Sequence, residues 1–235
     1  MQAGIPSRLP DELKFSNYCL ALNGVNQYVW VLGAPSLRPD ADSYTWRGWV
    51  KPDLSQIFIF ASTYTLNGWC IRFRVDGRIE FLWNDGADRW VLSNIGDVVS
   101  GIWQEIGVVL NRTDNQIYFY INGLNTAIRA YVPAINLTNL GTVYLGYIPH
   151  FAQFGKGYID EIQFLRGIQT PSQMYENFLC GHARPTVAST LNLRIEAGAG
   201  DTVYDDSGFG NNGTRINNPP WTKVAKHELL AEAGV

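Results

Sequence analysis

The feature that most constrains the fold of this chain is an alternation of side chains with a period of two residues. In the run WCIRFRV, the side chains on one face of an extended backbone are Trp69, Ile71, Phe73 and Val75. This period is typical of a half-buried strand, and it predicts that Cys70 lies off the core face. The same alternation recurs in residues 78–83 (RIEFLW) and 116–123 (QIYFYING).

Tight-turn sequences separate these runs. Asp76-Gly77, Asn84-Asp85-Gly86 and Asn122-Gly123 each supply residues that readily adopt positive φ. Strands joined by such turns form antiparallel sheets, so the pattern predicts an all-β sandwich. With 235 residues, 46% of them hydrophobic, the chain can fill one large core, whereas two independent cores would be crowded.

Two short segments have helical patterns. In TPSQMYENFLCG, Thr170 is the predicted N-cap, Gln173 completes a capping box and Gly181 ends the helix. A short helix is therefore expected near residues 170–180. The tail WTKVAKHELLAEAGV is rich in Ala, Leu, Lys and Glu, and it predicts about two helical turns that need a partner surface to be ordered.

Charge and cysteine content exclude several classes of protein. The 18 Lys and Arg residues against 21 Asp and Glu give a net charge of −3, which excludes a basic groove for nucleic acid. The N-terminus lacks a cationic start before an apolar run, and no stretch approaches the roughly 18 apolar residues of a membrane span. We therefore expect no signal peptide and synthesis in the cytoplasm. Cys19, Cys70 and Cys180 are widely spaced, which predicts reduced thiols.

Four segments, taken in order, resemble one protein family. Residues 20–31 (LALNGVNQYVWV), 44–53 (YTWRGWVKPD), 101–123 and 143–178 resemble the successive strands and the short capped helix of concanavalin A-like domains. The likeness is to the laminin-G and pentraxin type of these domains, and it covers about residues 18–180. It implies a two-sheet antiparallel jelly-roll sandwich.

One segment departs from the family order. Residues 191–221 resemble the strand and Asp-Asp-Ser-Gly turn that normally begin such domains, but here they come last. Either a second domain has been cut short, or the chain is circularly permuted. We favour permutation, because about 45 residues cannot bury an adequate core alone. The predicted organisation is an N-terminal arm (1–17), a jelly roll (18–221) in which 186–221 supply a strand, and a tail (222–235).

The acidic and histidine residues do not form a recognisable catalytic pattern. Glycoside hydrolases of related fold place several carboxylates on one strand with a period of two. This chain has only the adjacent pair Asp160-Glu161, whose members point to opposite faces. His150, His182 and His227 occur without a nucleophile motif and are interpreted as surface residues. The sequence therefore predicts that the protein is not an enzyme.

Calcium is the one cofactor that the sequence suggests. The residues that offer hard oxygen ligands are Asp160, Asp205, Asp206, Asn211 and Asn212. All but the first lie in one Gly-rich loop, and the resembled family includes members that bind calcium and members that do not. The alternative is an Asx-turn loop whose side chains satisfy their own backbone.

The aromatic side chains suggest carbohydrate binding, but they do not identify the binding site. Trp90, Tyr131 and Tyr147 are interpreted as exposed aromatic residues that are able to stack on a sugar ring. With 8 Trp, 12 Tyr and 11 Phe in the chain, however, most aromatic residues must pack in the core. The sequence therefore leaves the carbohydrate-binding residues unknown.

Two classes of function remain open at this stage. The first is a non-enzymatic structural protein of a phage-like virion, such as a capsid-decorating, fibre or tail component that contacts other particle subunits or copies of itself. The second is a lectin-like module that recognises a glycan and is cytoplasmic or exported without a classical signal. The expected absence of a signal peptide and of a catalytic partner domain favours the first class.

Overall fold

The computed structural model describes residues 18–131, 135–181, 186 and 188–224. The predicted N-terminal arm (1–17), most of the predicted tail, His182 and His227 lie outside these residues. In the described part of the chain, the single α-helix has ten residues, and no helix is long and apolar enough to cross a membrane.

The described residues form mostly strands. The first nine are β1 (Tyr18–Asn23), β2 (Tyr28–Val31), β3 (Tyr44–Pro52), β4 (Phe58–Ser62), β5 (Trp69–Phe73), β6 (Ile79–Asn84), β7 (Asp88–Leu92), β8 (Gln104–Asn111) and β9 (Gln116–Ile121). They are followed by β10 (Leu124–Ala130), β11 (Val143–Leu145), β12 (Tyr147–Ile148), β13 (Gln153–Phe154), β14 (Lys156–Arg166), α1 (Pro171–Cys180), β15 (Ser189–Leu193), β16 (Thr202–Val203), β17 (Gly213–Ile216) and β18 (Trp221–Lys223).

The strands build two antiparallel sheets that pack face to face. The first sheet has the order β10-β9-β8-β3-β14-β1-β18, with β15 also paired to β14. The second has the order β16-β17-β2-β11-β4-β5-β6-β7. The small hairpin β12–β13 forms a separate two-stranded unit. The predicted all-β, two-sheet antiparallel sandwich with one short helix is therefore confirmed.

The core lies between the two sheets, where the period-two alternation places it. Trp69, Ile71 and Phe73 belong to the main core, whereas Cys70 belongs to a second cluster on the outer face of β5. Cys70 is nevertheless fully buried, because the hairpin β12–β13 and its connection cover that face. The placement of Val75 on the core face was wrong, since β5 ends at Phe73 and Val75 is 62% exposed.

The burial of the cysteines determines the protonation of their thiols. Cys19 and Cys70 are buried, Cys180 is half-buried, and none of the three forms a disulfide. Burial raises the pKa of the Cys19 and Cys70 thiols well above its usual range, because the protein interior disfavours the thiolate. The predicted reduced state of the cysteines agrees with this arrangement.

The predicted turns and helix also occur. At the β9–β10 turn, Gly123 has φ +73°, and a Cβ there would lie 2.7 Å from the Tyr175 Cα of the neighbouring helix. Helix α1 begins after Thr170, whose side chain forms a capping box with Gln173, and it ends at a left-handed Gly181. Its buried face packs on the outside of the first sheet, where Phe178 stacks on a core tryptophan.

The C-terminal segment completes both sheets. β15 pairs with β14, β17 with β2, and β18 with β1, where Tyr18 lies opposite Lys223. The helical pattern predicted from residue 221 onward was wrong for Trp221–Lys223, because pairing with β1 holds these residues as a strand. These strands pair within one chain, and circular permutation as the origin of this order stays a prediction.

Candidate functional site

A groove opens where the edge strands of the two sheets meet. β7 is the last strand of the second sheet, and β10 is the last strand of the first. The groove between them has a volume of about 320 Å³, and we call it the edge groove. Its lining residues are Trp83, Asp88, Arg89, Trp90, Val91, Ala130 and Tyr131.

Aromatic side chains form the wall and floor of the edge groove. Trp90 lies opposite Leu82 on the outer face of the second sheet and is 55% exposed. Trp83 and Tyr131 are buried at the base, with ring centroids 6.3 Å apart in an edge-to-face arrangement. The idea that Tyr131 is an exposed platform was therefore wrong, because only 8% of the residue is accessible. Trp90 is the most exposed aromatic residue of the lining.

Asp88 places a carboxylate next to Trp90. Asn84 Nδ2 donates a hydrogen bond of 2.6 Å to Asp88 Oδ1 across the β6–β7 hairpin. The pKa of Asp88 lies below its usual range, mainly because of the adjacent Tyr64 hydroxyl, with further lowering from Asn84 and from nearby His150. Asp88 is therefore ionised at neutral pH and accepts hydrogen bonds on an exposed strand.

The cation of the edge groove is already paired. Arg89 Nε donates to both carboxylate oxygens of Asp85, at 2.9 and 3.1 Å. Because this pair is internally neutral, Asp88 supplies the unbalanced charge of the rim. The edge groove therefore combines an exposed tryptophan with one anionic acceptor.

Tyr147 lies elsewhere, in an aromatic cluster on the outer face of the second sheet. It is half-buried and stacks on Phe154 with ring centroids 4.4 Å apart. Tyr28 lies 4.8 Å from Tyr147, and Tyr144 lies 5.5 Å from it between centroids. Tyr147 and Trp90, both named from the sequence, therefore belong to two different surfaces.

The acidic loop proposed for calcium is held by its own hydrogen bonds. Asp205 Oδ1 accepts from the backbone N–H groups of Asn192 and Ser207, at 2.8 and 3.0 Å. Asp205 Oδ2 accepts from Ser207 Oγ at 2.7 Å and from the Asn211 N–H at 2.8 Å. Four donors occupy the acceptor sites that a cation would need. The carboxylate therefore acts as the centre of an Asx-turn loop, which is the alternative to calcium binding, and the calcium site stays a prediction.

The side chains of Asn211 and Asn212 are also engaged in hydrogen bonds, and Asp160 lies on another strand. The Asn211 Nδ2 group donates to the Thr190 carbonyl, and the Asn212 side chain accepts from the Asp205 N–H. Asp160 is buried on β14, and β15 separates that strand from Asp205. Among the described residues, no group of three or more His, Cys, Asp and Glu is placed to hold a metal ion.

We expect Asp205→Ala to lower the free energy of unfolding by about 2–4 kcal/mol, because several buried donors lose a charged acceptor. The exposed neighbour provides a matched control, and Asp206→Ala should change stability by less than about 0.5 kcal/mol. Denaturant unfolding with and without calcium measures both effects. A melting temperature of the unmodified protein that rises with calcium would contradict this interpretation and support the calcium site.

The sequence named Trp90 but missed its partners in the groove. Asp88 and Trp83 lie on either side of the Asn84–Gly86 turn, and no motif marks them. The usable signal in the sequence was a tight turn flanked by two tryptophans.

The described residues considered for catalysis lie outside the edge groove. Asp160 and Glu161 are both buried on β14, and His150 packs edge-on against Tyr64, with ring centroids 5.6 Å apart.

Comparisons with known structures give the same fold at low sequence identity. A proposed carbohydrate-binding protein from Bacteroides ovatus superposes with a TM-score of 0.68 at 16% identity, covering 88% of this chain and 60% of that one. This chain thus spans about 60% of the length of that protein. A heptameric SAP-like pentraxin from Limulus polyphemus gives a TM-score of 0.58 at 16% identity, covering 73% of this chain and 86% of that one.

A glycan-bound structure is also similar. The CBM40 domain of a Ruminococcus gnavus IT-sialidase, bound to α2,3-sialyllactose, gives a TM-score of 0.53 at 11% identity, covering 68% of this chain and 98% of that domain. No curated protein sequence matches the chain significantly.

The family itself is shown by sequence. A Laminin_G_3 profile, described as concanavalin A-like lectin/glucanases superfamily, matches residues 23–173, which is more than half of the chain. The resemblance of the strand motifs is therefore confirmed. Sequence profile, sheet topology and similar structures agree, and the chain belongs to the concanavalin A-like lectin/glucanases superfamily.

Proposed function

We propose that this protein is a non-catalytic, lectin-like module that binds a glycan in the edge groove. The observation that carries the proposal is the exposed ring of Trp90 beside the ionised carboxylate of Asp88. An indole face packs against the apolar face of a sugar ring, and a carboxylate accepts strong hydrogen bonds from sugar hydroxyls. The groove volume of about 320 Å³ is at the small end of ligand pockets, as expected for one part of a glycan.

The similar proteins support this proposal more than a virion role. Two of the proteins of similar fold are associated with carbohydrate. One is described as a proposed carbohydrate-binding protein, and the other is a domain bound to sialyllactose. At such low identity these likenesses establish the fold, so the ligand is inferred from the groove itself. A role in a phage-like particle, and a location in the virion, stay predictions.

The charge of the rim favours neutral glycans. Sialyllactose is anionic, and a ligand carboxylate is held best by an unpaired arginine. In the edge groove, Arg89 is occupied by Asp85, whereas Asp88 repels a second carboxylate. We therefore expect neutral oligosaccharides to bind and their sialylated counterparts to bind more weakly.

The test is binding to an array of neutral and sialylated oligosaccharides, followed by titration calorimetry on the best neutral binder. Trp90→Ala should weaken that affinity by about tenfold or more, because the stacking surface is lost. Phe209→Ala is the matched control, since Phe209 is similarly exposed (58%) on a distant loop and should bind normally. Equal affinity of the Trp90 and Phe209 variants, or hydrolysis of a bound glycan, would overturn the proposal.

A further inference from the structure

A single row of paired residues crosses the outer face of the second sheet and carries an exposed tryptophan at each end. Trp30 pairs with Tyr144, Tyr144 with Ser62, and Ser62 with Cys70. Cys70 then pairs with Leu82, and Leu82 pairs with Trp90. Because directly paired residues point to the same face, Trp30 and Trp90 open toward the same side of the sandwich.

The hairpin β12–β13 covers the middle of this row. Ser62 Oγ donates a 2.8 Å hydrogen bond to the Tyr147 carbonyl. Cys70 and Leu82 pack with Ile148, the second residue of β12, in a buried cluster. The hairpin therefore lies between Trp90, at the rim of the edge groove, and a cluster around Trp30.

This cluster is the tyrosine platform, which we define by its five aromatic residues. They are Tyr28, Trp30, Tyr144, Tyr147 and Phe154. The four tyrosine and phenylalanine rings contact one another, with centroid distances from 4.4 to 6.2 Å. Trp30 is 39% exposed at the edge of this cluster, beside the exposed Thr214 on β17.

The chemistry of the tyrosine platform fits a neutral polyhydroxylated ligand. Three phenol hydroxyls donate and accept hydrogen bonds, the rings provide apolar faces, and none of the five side chains carries a charge at neutral pH. The pKa of Tyr28 is raised by partial burial and by its neighbours Tyr144 and Tyr147, so the Tyr28 hydroxyl remains a protonated donor. A packed cluster of rings is already ordered, which lowers the entropy lost on binding.

We propose that the tyrosine platform is a second contact site for a neutral glycan, so that one protein molecule binds a polysaccharide at two points. This inference rests on the proposed function of the edge groove. Five strand spacings separate Trp30 from Trp90, or about 24 Å, and the hairpin stands between them. The two sites therefore bind separate stretches of one polymer. Binding at one site raises the effective concentration of the polymer at the other, which increases the overall affinity.

The experiment compares short oligosaccharides with long polysaccharides. The probes are neutral polysaccharides that contain the oligosaccharide bound most tightly in the array. Their di- to tetrasaccharide fragments are tested in parallel. Trp30→Ala should weaken binding to the polysaccharide by about tenfold or more and leave binding of the fragments to the edge groove within about twofold. Trp90→Ala should weaken both.

Controls separate the two proposals. Tyr144→Phe keeps the ring and removes one hydroxyl, and it should give a smaller loss than Trp30→Ala with a melting temperature close to that of the unmodified protein. If Trp90→Ala weakens binding while Trp30→Ala leaves polysaccharide affinity unchanged, the second site is wrong and the edge groove stands. If neither variant changes binding, or no neutral glycan binds, both proposals fail. If Trp30→Ala weakens fragments and polysaccharide equally, there is one site and the two-point inference fails.

Discussion

Deleting residues 186–235 should abolish the cooperative fold. This segment supplies β15, β16, β17 and β18, which pair with strands of both sheets. It also brings Leu191, Leu193, Ile195 and Val203 into the main core. Removing one large buried side chain costs about 2–5 kcal/mol, so the loss of four, about 8–20 kcal/mol, is as large as the usual stability of a whole domain, about 5–15 kcal/mol. Circular dichroism and thermal melting should show no cooperative transition, and the exposed edges should lower solubility.

A circular permutant is the matched control for this deletion. Tyr18 at the start of β1 lies opposite Lys223 at the end of β18, so the two ends of the described chain are adjacent. Joining Val235 to Met1 and opening the chain between Gly181 and Thr186 would restore the strand order of the resembled family. We expect this permutant to melt within a few degrees of the natural order. A truncated chain that melts like the full-length protein, or an unfolded permutant, would contradict the predicted permuted sandwich.

Replacing Arg47 with Met should destabilise the protein by about 3–5 kcal/mol, because it leaves a buried carboxylate without its partner. Arg47 and Glu105 are both buried on the outer face of the first sheet. Arg47 Nε donates to Glu105 Oε1 at 2.6 Å, and Arg47 Nη1 donates to Gln163 Oε1 at 3.0 Å. Denaturant unfolding with an unchanged m-value measures the loss.

The double variant provides the control for this charge pair. Arg47→Met combined with Glu105→Leu removes both charges and fills the space with apolar atoms, so it should recover most of the lost stability. If the double variant is as unstable as the single one, packing of the Arg47 side chain matters more than its charge, and the prediction is wrong.

The pH dependence of the single variant follows from Glu105. Burial raises the pKa of Glu105 above its usual range, and the nearby Arg47 charge opposes this shift. Without Arg47 the pKa should rise further. A carboxyl group whose pKa is higher in the folded state favours folding below its unfolded pKa and loses that contribution as pH rises through the folded pKa. The deficit of Arg47→Met relative to the unmodified protein should therefore be largest at neutral pH and shrink toward pH 5.

Local patterns were sufficient to predict several elements of the fold. The strand at Trp69–Phe73, the turn at Asn122-Gly123 and the capped helix after Thr170 were all predicted from neighbouring residues. Each depends on interactions over a few positions, namely side-chain alternation, positive φ and end capping. Trp221–Lys223 was predicted wrongly because the composition of the tail that follows it favours helix, whereas pairing with β1, about 200 residues earlier in the sequence, decides its conformation.

The sequence by itself determined the class of fold, since alternation, hairpin turns and the family motifs all lie within short segments. Only the tertiary structure decided where the candidate site lies. The edge groove joins Trp90 on β7 to Tyr131 just after β10, and the row from Trp30 to Trp90 crosses six strands. Whether an aromatic ring is buried or open depends on which distant segment covers its face. Tyr131 is covered at the base of the groove and Trp90 is open, although both are aromatic residues that follow a hairpin turn.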